Sequence, residues 1–91
     1  MEFFAWNLEK NEWLKQNRGI SFEDIVLRIN MDCILAVVDH PNQKKYPDQK
    51  IMIVNVNGYA YMVPFILQEK GAFLKTIIPS RKHTKKYLGG E

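Results

Sequence analysis

The residues with chemistry to offer gather near the end of the chain. The stretch PSRKHTKKYL, Pro79–Leu88, holds Arg81, Lys82, His83, Lys85 and Lys86 within six positions. From Met1 to Pro79 there are nine Lys/Arg and nine Asp/Glu, so that body is neutral. Ser80–Glu91 holds four Lys/Arg and one Glu, and so carries the whole net charge of +3. A clustered cationic excess suits a polyanionic partner. It also suits a helix end, where cations offset the dipole. Ser80 reads as a helix cap, with Arg81–Lys85 and Lys82–Lys86 as like-charged i,i+4 pairs that repel unless an anion lies between them. Arg81 would sit on the first turn, where the dipole disfavours a cation and free backbone N–H groups favour an anion. A guanidinium there can fork onto a phosphate.

Residues of these types are enough for metal-free cleavage of RNA. A base takes the 2′-hydroxyl proton, a cation offsets the charge of the pentacovalent phosphorane, and an acid protonates the leaving oxygen. His83 and His40 are the side chains that titrate near neutrality. Arg81, Lys82 and His83 are therefore the candidate catalytic set. Lys85, Thr84 and Tyr87 follow on the same helix. Lys44, Lys45 and Tyr46 follow His40 in a loop and would offer phosphate and base-stacking contacts if that loop faces the same groove. Plainer readings remain open for each: a solvated helix end, a turn histidine, a solvated loop. HExxH, GxSxG, a phosphate-cradling glycine loop and paired-cysteine zinc spacing do not occur. No metal or cofactor is expected. One cysteine, Cys33, allows no internal disulfide and reads as a small buried residue of a strand.

A chain of 91 residues with 46% hydrophobic content is expected to be one domain, residues 1–91, with a small but real core. No apolar run nears the roughly 20 residues of a membrane span. The N-terminus has no basic region ahead of its apolar residues, so a cytoplasmic location is expected and no membrane partner.

Several elements must position these side chains. Glu2–Trp6 reads as a first strand. Asn7 caps a helix over LEKNEWLKQNR that stops at Gly19, with Trp13 reaching back to Leu14 or the first strand. Ser21 and Asp24 form a capping box, and Phe22, Ile25, Val26 and Ile29 make one apolar helical stripe. Cys33–Asp39 reads as a strand and His40–Gln49 as a loop. IMIVNVNGYAYMVPFI is a hairpin turning at Asn57–Gly58, with Val56 opposite Tyr59, Val54 opposite Tyr61, Met52 opposite Val63, Ile53 opposite Met62 and Asn55 opposite Ala60. Both of its faces are apolar, so both must be covered: one by helices, the other by the terminal segment, a partner chain or both. Pro64 implies an edge or a bulge. Gln68–Gly71 is a turn and Ala72–Ile78 a last strand. Pro79 ends it, and a short helix to Leu88 must dock, through Leu88, Thr84 and an edge of Tyr87, because eight residues are not stable alone. Strand, helix, helix, a four-stranded antiparallel meander and a short C-terminal helix make an α+β fold.

Two segments resemble a known family. W-N-x-E-K-N-x-x-L-K-x-x-R-G-I-S-F-E-D, Trp6–Asp24, is similar to the opening of BrnT-type toxins. K-T-I-I-P-S-R-K-H-T, Lys75–Thr84, is similar to their closing segment. The resemblance implies a RelE-like fold and an endoribonuclease toxin of a type II toxin–antitoxin system. It also implies neutralisation by a cognate antitoxin, of ribbon-helix-helix type, through which alone operator DNA would be bound. Lys15, Arg18, Arg81, Lys82 and Thr84 fall on family positions, so Lys15 and Arg18 join the expected RNA contacts. Arg18 stands where the family usually has histidine, and Tyr87 where it usually has an acid. Lys75 lies one position further ahead of Arg81 than the family's strand basic residue, so either the strand is bulged or Lys75 is not the equivalent residue. A non-catalytic RNA- or partner-binding module on the same scaffold is the alternative reading.

Overall fold

A computed structural model describes residues 3–89. The chain runs β1 (Phe3–Ala5), α1 (Leu8–Arg18), α2 (Phe22–Asn30), β2 (Ile34–Asp39), β3 (Gln49–Val56), β4 (Tyr59–Gln68), β5 (Gly71–Leu74), β6 (Ile78–Pro79) and α3 (Arg81–Leu88). This is an α+β fold with a six-stranded sheet in the order β1-β5-β4-β3-β2, and β6 pairs with β4. Glu2, expected in the first strand, lies outside the described residues.

The local signals act as their chemistry requires. Asn7 Oδ1 accepts the Lys10 N–H and caps α1, which ends at Gly19 with φ 65°. Ser21 and Asp24 make the reciprocal capping box of α2. Between the two helices, buried Asn11 accepts the Phe22 N–H through Oδ1 and donates through Nδ2 to Glu23. The hairpin has the expected register throughout, from Val56 opposite Tyr59 to Met52 opposite Val63. Asn57 takes φ 54° and Gly58 φ 85° at its tip.

Two expectations need correcting. Cys33 precedes β2 and is half-buried, because its N–H and the Met31 N–H are still used to finish α2 on the Arg28 carbonyl. The single last strand is two. Phe65 pairs with Leu74, Pro64 O accepts the Lys75 N–H, and pairing resumes with Met62 opposite Ile78. One extra residue is taken up between Lys75 and Ile78, beside the strand position where Pro64 has no N–H to donate. The bulge lets Leu74 and Ile77 both reach the main core. Pro64 itself lies on a central strand with its irregularity supplied by the neighbour. β1 pairs in parallel with β5, and a Cβ on Gly71 would lie 1.7 Å from Phe3 O, so only glycine admits this approach.

Strand alternation divides the core. On one side, Met52, Val54, Val63, Phe65, Ala72 and Leu74 meet Leu14, Ile20, Phe22 and Ile25 of the α1–α2 pair. On the other side, Ile51, Ile53 and Ala60 are covered by Tyr87 and Leu88 of α3, with Leu35, Ala36 and Met62 alongside. The terminal helix thus supplies the second cover that the two-faced hairpin demands.

Candidate functional site

The α3 face of the sheet is where the cationic residues come together. Ser80 N–H donates to Ala60 O at 2.9 Å, which fixes the start of the helix against β4. Thr84 Oγ1 then accepts the Ala60 N–H at 2.8 Å and donates to Ser80 O at 2.7 Å. Those bonds use the Thr84 hydroxyl in the fold, so its part is to lock α3 in place. Ser80 Oγ caps the helix by accepting the His83 N–H at 3.2 Å and lies 2.7 Å from His83 Nδ1. The His83 and Tyr87 rings stack nearly parallel, 6.1 Å apart at 4°.

Lys82 and His83 form one wall of a cleft of about 220 Å³. The opposite wall is Val38 and Asp39 of β2 with Pro41 of the following loop, and Ile51 and Met62 make the floor. Arg81 is exposed on the adjoining first turn and is not part of that lining. Burial, then the charges of Lys82 and Lys86, lowers the His83 pKa from its ordinary 6.5. At neutral pH the imidazole is therefore held uncharged beside two ammonium groups. Asp39 Oδ1 accepts from Lys50 Nζ at 2.8 Å, and both side chains are largely exposed.

The remaining candidates are distributed. Lys44, Lys45 and Tyr46 lie in the β2–β3 loop, whose first residues reach the cleft through Pro41. That loop has a small structure of its own: His40 packs on Tyr46 at 4.5 Å, His40 Nδ1 accepts the Asn42 N–H, and Lys45 Nζ sits over the Tyr46 ring. Lys85 and Lys86 are exposed on α3, with Lys86 Nζ 5.3 Å from the Tyr87 ring. Lys15 and Arg18 belong to α1, on the opposite side of the sheet. Lys15 pairs with Glu12 at 3.1 Å, which raises its pKa through that hydrogen bond and charge. Arg18 donates to Ile77 O and stacks on Trp13. Trp13 is 42% exposed between Lys10 and Arg18 rather than turned to the first strand, because Leu14 takes the inward position beside it. Arg18 thus braces the bulge that leads into α3.

Lys75 shares the α3 side of the sheet, since its backbone bond to Pro64 O continues the β4–β5 register and its Nζ lies over Phe73. A second hollow, of about 410 Å³, opens on the other side between α2 and the hairpin tip. Its charged groups serve the fold: Arg28 donates to Asn57 Oδ1, and Asp24 caps α2. Sequence reasoning missed Asp39 and Pro41 as the facing wall, which only the strand order brings to Lys82. Ser80 as a partner of His83 was legible, because a capping serine and the residue three later meet across the first turn.

Comparison of the chain with protein-family models, with curated proteins and with solved structures finds no match.

Proposed function

We propose that the chain is a RelE-like, metal-independent endoribonuclease of the toxin class, acting on RNA at the α3 face. The observation that carries this reading is that the most cationic turn of the chain opens onto a cleft walled by Lys82 and a histidine kept neutral. The element order and the resemblance at both ends of the chain support it. So does the bulge before α3, which absorbs the one-residue offset of Lys75 and leaves it on the same side as Lys82.

In the reaction, the 2′-oxygen bonds to phosphorus as its proton leaves, the P–O5′ bond breaks, and the 5′-oxygen takes up a proton. The products are a 2′,3′-cyclic phosphate and a 5′-hydroxyl, with no water consumed. Arg81 and Lys82 hold the phosphate and offset the charge it gains in the phosphorane. His83 meets the same group, and Lys85 with the Lys44–Tyr46 loop extends the contact along the strand. Lys15 and Arg18 support the fold from behind. A cognate antitoxin, DNA-binding through a ribbon-helix-helix part, would cover this face. Val38, partly exposed on edge strand β2 beside the cleft, offers it a strand edge. The setting proposed for this pair is the cytoplasm. Among the described residues no helix is long and apolar enough to cross a membrane.

Expressed alone, the chain should slow growth, and the purified protein should cut RNA in EDTA to leave cyclic-phosphate ends. RNA binding that weakens steeply with salt, without fragments, would instead assign the fold to a binding module.

A further inference from the structure

Which nitrogen of His83 bears the proton decides what the residue can do, because a neutral imidazole has one N–H and one free lone pair. Ser80 Oγ makes two bonds, to the His83 N–H at 3.2 Å and to His83 Nδ1 at 2.7 Å, on a residue only 8% exposed. The first of these uses an oxygen lone pair. Were Nδ1 protonated, Oγ would accept twice and its own proton would have no partner in a buried place, which is costly. With the Ser80 hydroxyl donating its hydrogen bond to a bare Nδ1, both the lone pair and the proton of Oγ are used. The proton of the neutral ring is then on Nε2.

We propose that Ser80 holds His83 as the neutral Nε2–H tautomer, so that His83 meets its substrate as a hydrogen-bond donor and not as a base. The identity of the acceptor, a phosphoryl oxygen, rests on the RNA-cleavage reading; the tautomer does not. The surroundings hold the ring for that task. Ala60, Thr84 and the Ser80 carbonyl form a chain of bonds that fixes the serine, and Tyr87 lies parallel to the ring. The charged groups around it are Lys82 and Lys86 on its own helix; Asp39 borders the cleft with its carboxylate bonded to Lys50 of β3, and Ile51 and Met62 form the apolar floor. A neutral histidine that polarises an oxygen through an N–H is an established catalytic device in other enzymes. Acceptance of the 2′-hydroxyl proton passes to another group.

Long-range proton–nitrogen NMR of the ¹⁵N-labelled chain at alkaline pH reads the tautomer directly. Wild type should show His83 Nε2 protonated and Nδ1 bare. Ser80→Asp keeps a capping oxygen but can only accept, so it should move the proton to Nδ1. His83→Gln retains a neutral N–H donor close to the Nε2 position and should cut RNA within about tenfold of wild type, whereas His83→Ala should lose about 10²–10³-fold. A wild-type ring protonated on Nδ1, or a folded Gln variant as inactive as the Ala variant, would overturn the assignment. A wild type that cuts no RNA would sink the cleavage reading instead, and the spectrum would still decide the tautomer.

Discussion

The two sides of the sheet are built to different standards. Behind it, the α1–α2 pair is capped at both starts, joined by Asn11, and closed over Phe22, Ile25, Leu14 and Phe65, all of them fully or almost fully buried. In front, one eight-residue helix with no fully buried residue covers three buried side chains and leaves a cleft beside itself. A small domain has little stability to spare. This one concentrates it behind the sheet and leaves the α3 side thinly covered. The rear also reaches forward: Arg18 ties the end of α1 to the Ile77 carbonyl just ahead of α3.

Substitutions should report this asymmetry in order of size. Phe22→Ala on the rear side should lower the unfolding free energy by about 3–5 kcal/mol in denaturant titrations, enough to leave little folded protein. Leu88→Ala in front should cost about 1–2 kcal/mol, since its side chain is only partly buried, and should loosen α3 in amide exchange before the sheet. Ser80→Ala should cost about 1 kcal/mol, the usual worth of a helix cap. Lys15→Ala should stay within about 0.5 kcal/mol of wild type, because its pair with Glu12 is exposed. Equal losses from Phe22→Ala and Leu88→Ala would erase the distinction between the two sides.

Acid should separate the sides as well. The folded His83 pKa is lowered, so the unfolded chain binds that proton first. Stability should therefore fall as pH drops from about 7 through 6.5 and below, and His83→Gln should flatten that part of the curve. Glu23 on the rear side is lowered from 4.5 by its bond with Asn11, so its contribution is present above that value and is lost as pH falls below it. Thermal denaturation across pH 4–7 should show the two windows apart.

What could be read without the fold was local. Asn57–Gly58 carried the register of ten facing residues, because a two-residue turn fixes the pairing of every position on the strands it joins. Asn7 with Gly19 marked both ends of α1, and Ser21 with Asp24 marked the start of α2. The helix-docking residues Thr84, Tyr87 and Leu88 came from the need of an eight-residue helix, unstable alone, to dock. What stayed hidden was non-local. The split of the last strand depends on Pro64 lying alongside it, the parallel β1–β5 pair on Gly71 meeting Phe3, and the cleft on β2 bringing Asp39 opposite Lys82. The charge cluster and the resemblance named the residues; the strand order decided which of them face a hollow and which, like Lys15 and Arg18, stand behind the sheet.

The most direct measurement compares one lysine from each side. Folded wild type, Lys82→Ala and Lys15→Ala are incubated with RNA in EDTA, and the rate of appearance of 2′,3′-cyclic phosphate ends is followed. The front-side account predicts that Lys82→Ala slows cleavage by about 10²–10³-fold while Lys15→Ala stays close to wild type. Cleavage that survives Lys82→Ala intact, or that Lys15→Ala abolishes as fully, would contradict it.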